Sequence, residues 1–372
     1  MTESVIHSER VRDLTSARRR ISIDVESSAV YEIALTMWAV FSQKPTNAAY
    51  DLGADWIEKV KSQTNDDLAR RIVALGGPWC STWMAVASFL LSAPHPHDPD
   101  RVFDWLSNVD NNRLRRWVIE YSSQSENQAL IEQAAEGDLD AAVELLGDQI
   151  EKKPELIDHL KWIVNTEDLP DRYAAALREF RAEVFSAYED EFAGAIGRAA
   201  AAQIAAPTKS AKEVIEEVTS GIDFEIPHGV TRVVLIPSMV TRPLSVIDLN
   251  RGILVVFYGI ADEFVDSDPD APPSWLVRIY KALGDERRLR IIRRLSEGPA
   301  SLDDLTEMLG LSKSTVHHHA ALLRGAGLIR IHIPEDKSST KKSYSLREHS
   351  LAGAREFLDS YLTITKEQQS VL

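Results

Sequence analysis

Apolar positions change their spacing three times along this 372-residue chain. The first twenty residues are polar, end in Arg18-Arg19-Arg20 and show no sustained apolar period, so residues 1–20 read as a mobile arm. Ile21, Ile23 and Val25 then alternate with Ser22, Asp24 and Glu26, the two-residue period of a short strand. From Ala29 to about Ala205 the period is helical. Ile33, Met37, Val40 and Phe41 share one face, Trp56, Ile57 and Val60 another, and Leu114, Trp117, Val118 and Tyr121 a third. Gly76-Gly77-Pro78 and the run Pro94-His95-Pro96-His97-Asp98-Pro99 interrupt it as loops. Near Pro207 the spacing changes again. One more amphipathic segment, Ala211 to Val218, leads into β-branched runs at Arg232 to Pro237, Leu244 to Leu249 and Gly252 to Tyr258, three strands divided by Pro243 and Asn250-Arg251-Gly252. A small sheet therefore follows the helices, and the strand near Ile23 is available to pair into it.

The acidic stretch Asp266 to Pro273 holds three prolines and predicts a linker. Beyond it the signals come densely. Trp275 to Leu283 makes an amphipathic helix closed by Gly284, and Asp285 caps a second whose apolar stripe is Leu289, Ile292 and Leu295. Ser301 and Asp304 are spaced as a capping box for a short helix ended by Gly310, and Ser312 caps a fourth that runs to about Gly325. Two helices joined by Gly310-Leu311-Ser312 form a helix-turn-helix. Leu328 to Pro334 and Ser343 to Leu346 are strand-like around the basic tip Glu335 to Lys342, which completes a winged helix. The predicted organisation is thus an arm (1–20), a mainly helical sensing and assembly body with a β segment near 222–260 (21–265), a linker (266–273), a winged helix-turn-helix domain (274–362) and a tail (363–372). The fold class is mainly α.

Ala282-Leu283-Gly284-Asp285, Arg288-Leu289-Arg290-Ile291, Leu311-Ser312-Lys313-Ser314-Thr315-Val316, His318-His319, Leu323-Arg324 and Ala326-Gly327-Leu328-Ile329 together resemble the ArsR-type winged-helix transcriptional regulators, over roughly 80 residues. The upstream body is similar to a domain of unknown function found fused ahead of ArsR-type domains in actinobacterial regulators. The resemblance implies operator binding, and it implies a homodimer built from the first and last helices of the winged-helix domain. Here those helices carry Trp275, Ile279, Leu283, Phe357, Leu358 and Tyr361.

Helical geometry supports the same role without the family. At about 100° per residue, Val316, Ala320 and Leu323 gather on one stripe, the core side. Lys313, Ser314, His317, His318, Ala321 and Arg324 spread over the other face, with cations, hydroxyls and imidazoles suited to phosphates and base edges and an alanine small enough to meet a thymine methyl. Ser312, Lys313, Ser314, Thr315 and His317 lie at the helix start, where helix-turn-helix proteins read bases. In the wing, Lys337, Lys341 and Lys342 are expected to hold phosphates and make affinity salt-dependent.

Charge refines this picture. The net charge of −15 alone would argue against a nucleic-acid partner. Residues 273–350, however, hold 14 Lys and Arg against 9 Asp and Glu, whereas residues 1–272 hold 26 against 45. A basic block on an acidic body still attracts phosphate, because fields act within about 10 Å. The single cysteine, Cys80, excludes an internal disulfide and fits a reducing compartment, and no long apolar run suggests a span or a leader, so a cytoplasmic protein is expected.

Other chemistry is weaker. His317, His318 and His319 diverge by 100° per position and cannot share an ion, so His319 reads as a packing residue. The ArsR-type metal sensors resemble one another in a cysteine pair before the turn, where this chain has Ser301 and Asp303, so neither metal nor cofactor is expected. His95, His97 and Asp98 could bind a metal in principle, but a proline-rich stretch with scattered polar residues reads first as a loop. Seven of eight tryptophans precede residue 170 and read as core, the sharper alternative being that Trp79 and Trp83 line an effector pocket. No glycine fingerprint, phosphate loop, nucleophile elbow or His-Glu-x-x-His supports an enzyme. The expected function is a one-component transcriptional regulator, a repressor by the commoner outcome in the family. It would bind double-stranded operator DNA and answer a small-molecule effector through the body. The alternative is a winged helix that docks a protein partner.

Overall fold

The structure, a computed structural model, describes residues 21–42, 50–123, 125, 127–147, 155–206, 209–265, 272–334, 342–347 and 350–359. The expected arm (1–20), most of the linker (266–271), the wing tip with Lys337 and Lys341, and Tyr361 with the tail lie outside the described residues.

Strand β1 (Ser22–Val25) leads into a run of helices: α1 (Ala29–Phe41), α2 (Gly53–Gln63), α3 (Asp66–Gly76), α4 (Thr82–Phe89), α5 (Pro99–Ser107), α6 (Asn111–Ser123), α7 (Gln128–Ala135), α8 (Leu139–Leu146), α9 (Glu155–Asn165), α10 (Leu169–Glu183), α11 (Glu189–Ala205) and α12 (Ala211–Val218). Side chains that accept first-turn amides set their starts: Ser28 caps α1, Asn65 caps α3 and Asp98 caps α5, with Pro99 in the first turn of α5. Met37, Trp83, Phe103, Tyr173 and Phe180 fill the core between them. Trp83 is wholly buried, and its indole N–H donates to the Ile72 carbonyl at 3.0 Å. It is packing, not pocket lining. Trp79 does line a cavity of about 390 Å³, with Phe41, Val73, Pro78 and His159.

After β2 (Ile222–Phe224) come β3 (Arg232–Ser238), β4 (Ser245–Asn250) and β5 (Ile253–Gly259). The body's sheet has the order β1-β3-β5-β4. β1 pairs parallel to β3 with Ile23 opposite Val233, β3 pairs parallel to β5, and β4 is antiparallel to β5. Helices therefore cover both faces. Val234, Ile236, Val255 and Phe257 point into the large helical core, while Val233, Leu235, Leu254 and Val256 pack under α12 with Val214 and Ile215. That is why these strands read as unbroken apolar runs instead of alternating ones. β4 and β5 are joined by Arg251 and Gly252, both at positive φ (49° and 79°), a two-residue hairpin of the primed kind. A Cβ on Gly252 would meet the Gly229 carbonyl at 2.8 Å, so only glycine fits.

The C-terminal part comprises α13 (Ser274–Leu283), α14 (Glu286–Ser296), β6 (Ala300–Ser301), α15 (Leu302–Leu309), α16 (Lys313–Gly325), β7 (Ile329–Ile333), β8 (Ser343–Leu346) and α17 (350–359). It has its own core, centred on Ile279, Ile291, Leu305, Val316, Leu323 and Leu328. One expectation is corrected here. Leu289 is 48% exposed and Ile291 is fully buried, so the inward stripe of α14 is Ile291 and Leu295, one step round from the predicted face.

The second sheet has the order β2-β7-β8-β6. Its edge strand comes from the body: β2 pairs parallel to wing strand β7, with Ile222 opposite Ile331 and Phe224 opposite Ile333. The sequence places a β segment near 222–260 in the body and names no strand at Ile222. Among the described residues, no single helix is long and apolar enough to cross a membrane.

Candidate nucleic-acid interface

Caps and clamps fix the helix-turn-helix. Asp285 accepts from the Arg288 amide at 3.1 Å, while the Arg288 guanidinium turns back to donate to the Ala282 and Lys281 carbonyls at 2.7 and 2.9 Å, closing the α13 terminus. Ser301 and Asp304 form the full capping box of α15. Gly310 adopts the left-handed conformation (φ 65°, ψ 32°) that ends this helix, and Ser312 extends to cap α16. The turn thus delivers α16 with Val316, Ala320, Leu323 and His319 inward. His319 is buried, as its helical angle required.

The predicted contact residues separate into groups. Lys313, Ser314, His317 and His318 are exposed. Lys313 pairs with Asp303 across the turn at 2.7 Å, both side chains at least two-thirds exposed, a link weak enough to be exchanged for a phosphate. The Ser312 hydroxyl lies 2.9 Å from that of Ser314 and 2.8 Å from that of Thr315, so these three serve the cap as well as the surface. His317 is held below the usual histidine range by partial burial and by the cations Lys342 and Arg324 beside it. That keeps it neutral and able to both donate and accept.

Two positions depart from the helical-wheel assignment. Arg324 is half-buried, its Nη1 closed off from solvent, and burial lowers its affinity for a proton against the opposing pull of Tyr344. It turns inward instead of joining the outer surface. Ala321, with His318 and Leu322, lines a cleft of about 470 Å³ against Tyr50, Pro243 and Leu244 of the body. The wheel counts angles on an isolated helix and could not register the body packed beside it.

The wing is an antiparallel pair, β7 with β8, in which Ile331 faces Tyr344 and His332 faces Ser343. Lys342 is exposed at the base of the tip. The body grips this wing from behind. Arg330 pairs with Glu216 at 2.5 Å, and His332 Nδ1 lies 2.9 Å from Asp223 Oδ2. Burial pulls the Asp223 carboxyl upward, but Lys212 and His332 outweigh it and hold the group below its ordinary range. A second grip lies at α13. Asp51 bridges Arg278 at 2.5 Å and Arg242 at 3.4 Å, while Asp262 contacts both arginines and accepts the Trp275 amide, forming a partly buried ring of alternating charge. Sequence reasoning missed both grips. Each joins residues more than a hundred positions apart or single charges in loops, with no periodic signal.

The residues expected at a dimer surface are mixed. Ile279 is 5% exposed and belongs to the domain's own core, a correction to its assignment. Trp275 meets Phe357 edge-on at 5.0 Å between ring centres, and Phe357 stays 37% exposed, with Leu283 and Leu358 partly exposed.

Comparison with known proteins adds the following. The family described as "Bacterial regulatory protein, arsR family" matches residues 285–330. Over 86 residues the chain is 31% identical to the "HTH-type transcriptional regulator Rv2034" of Mycobacterium tuberculosis, which spans 23% of this chain and 77% of that one. Over 56 residues it is 41% identical to the "HTH-type transcriptional regulator CmtR" of Mycobacterium bovis, spanning 15% of this chain and 48% of that one. Among solved structures, an ArsR family transcriptional regulator aligns over 25% of this chain and 97% of its own, at 22% identity and a TM-score of 0.22.

Proposed function

Because the chain belongs, through its C-terminal winged helix, to the arsR family of bacterial regulatory proteins and is a DNA-binding regulator of transcription, we propose that it is a one-component repressor whose N-terminal body senses an effector. The observation that carries the reading is the contrast of surfaces. Exposed Lys313, Ser314 and His317 stand beside Lys342 on a basic domain, while the body behind them is strongly acidic. The first turns of α16 enter the major groove and read base edges, and Lys342, with Lys337 and Lys341, holds phosphate. Two copies, joined through Trp275, Leu283, Phe357, Leu358 and Tyr361, read half-sites about one helical turn apart. The acidic body repels non-specific DNA. An effector bound to the body shifts the winged helix through the cleft at His318 and Leu322, with a coupling of about 1–3 kcal/mol.

The test is fluorescence anisotropy on the protein's own upstream region and on a scrambled duplex over a range of salt. The Lys313→Ala, His317→Ala double variant is expected to lose preference between the two duplexes. Replacing Lys337, Lys341 and Lys342 is expected to weaken both equally and to lower the salt slope by about 0.9 per lysine. Equal losses on both duplexes in both variants would refute the division into base and phosphate contacts. Salt-independent binding would point to a docked protein instead.

A further inference from the structure

The proline-rich stretch 94–99, where the sequence alone offered His95, His97 and Asp98, folds against the end of β1 and brings two of its histidines onto a different carboxylate, Glu26. The Glu26 amide donates to the Leu235 carbonyl at 2.9 Å, which extends the β1 pairing by one residue and fixes the direction of its side chain. Glu26 Oε1 lies 3.2 Å from His95 Nε2, and Glu26 Oε2 lies 3.4 Å from His97 Nδ1. The two imidazoles stack with ring centres 4.0 Å apart. Glu26 and His97 are shielded, at 14% and 3% exposure of their side chains, while His95 at 64% faces solvent.

The protonation pattern of His97 decides what this cluster can hold. Its Nε2 lies 3.0 Å from the Ala93 carbonyl, an acceptor with nothing to donate, so the proton is on Nε2. Nδ1 therefore carries the lone pair, which accepts from the Tyr31 hydroxyl at 2.6 Å; a metal would take it by displacing that hydrogen bond. A buried imidazole whose far nitrogen is held by a backbone carbonyl is oriented as metal-ligating histidines are, with Glu26 Oε2 3.4 Å from its near nitrogen. The spacing agrees. One donor atom from each of the three residues lies within 4.8 Å of the other two, a spread that side-chain rotation closes to the roughly 3.3 Å between neighbouring ligands of a tetrahedral site with bonds of about 2.0–2.1 Å.

We propose that Glu26, His95 and His97 form a binding site for a divalent transition-metal ion of the zinc class, with water in the fourth position. Two neutral nitrogens and one carboxylate suit zinc, cobalt or nickel better than the oxygen-seeking magnesium or calcium. The one other convergence of the kind among the described residues, Asp223, Glu225 and His332, already has the Lys212 ammonium between its carboxylates, in the place a cation would take. A metal at Glu26 would tie the loop before α5 to the β1–α1 junction.

The test uses the full-length protein freed of any affinity tag, titrated with cobalt(II) by visible absorbance and with zinc(II) by calorimetry. One equivalent is expected to bind, with the absorption of a nitrogen- and oxygen-ligated cobalt site of low coordination number. His95→Ala and Glu26→Gln are each expected to weaken binding more than about 10-fold, whereas His332→Ala leaves it unchanged. Because His95 is exposed, its variant keeps the metal-free unfolding temperature while losing the upward shift that zinc gives the parent. Absence of stoichiometric binding, or binding that survives both substitutions, would overturn the proposal.

Discussion

Glu32 offers a stringent test of how the body is held together. It lies in α1, is 1% exposed, and its Oε1 accepts the Met239 and Val240 amides at 2.8 and 2.7 Å, while Oε2 is buried and accepts no amide. Burial pushes its carboxyl up to about 7 from 4.5, against the opposing hydrogen bonds from Ser238, Val240 and Met239. The folded protein thus keeps a proton that the unfolded chain releases between about pH 4.5 and pH 7. Stability falls as pH rises through that window, and the loss is complete above it. At 1.36 kcal/mol per pKa unit the full swing is about 3 kcal/mol. Glu32→Gln keeps a carbonyl to accept both amides but never ionises. Its extra buried donor adds a pH-independent penalty of about 1–3 kcal/mol, so the informative quantity is how the difference from the parent changes with pH. Urea unfolding followed by tryptophan fluorescence reports on the body, which carries seven of the eight tryptophans. Between about pH 5 and about pH 8 the variant is expected to gain about 3 kcal/mol relative to the parent. A difference that stays flat over this range would refute the argument that Glu32 is forced to titrate by burial.

Two further outcomes follow from the joints described above. Arg278→Ala removes the winged helix's share of the charge ring with Asp51, Arg242 and Asp262, and is expected to loosen the seam by about 1–3 kcal/mol, less than a fully buried pair because the arginine is partly exposed. Faster amide hydrogen exchange in α13 and at 239–244, with α4 and α10 unchanged, would report it; unchanged exchange at the seam would count against the ring's role. Leu323→Ala, fully buried on the inner side of α16, is expected to cost the winged helix about 2–5 kcal/mol and to abolish specific DNA binding at 37 °C, read by thermal unfolding of that part through Trp275.

Local signals carried much of this fold into the sequence. Ser301 with Asp304, Gly310 and Ser312 write their own helix ends, and the apolar runs at Val233 and Leu254 announce strands buried on both faces. The outward placement of Lys313, Ser314 and His317 followed from counting 100° steps. What failed was whatever depends on a distant partner. β2 is three residues long and finds its register 109 positions away, opposite Ile331, so no window around Ile222 contains the information. Glu26 meets His95 and His97 across about seventy residues, and the proline-rich stretch gains this carboxylate partner only when the chain closes. Ala321 and Arg324 occupy the expected wheel positions, but Pro243 and Tyr344 stand where open solvent was assumed.

The pairing of β2 with β7 has a consequence for the protein as an object that might be divided. The acidic stretch at 266–273 looks like the place to cut, yet a fragment beginning there would leave behind the strand that completes its sheet. The orphaned edge, Ile329, Ile331 and Ile333 with their bare amides and carbonyls, would be a template for another chain. Body and winged helix are thus stitched rather than strung: the seam between them is woven through the wing itself, and one part moves against the other only by bending this shared fabric, not by swinging as a hinged door.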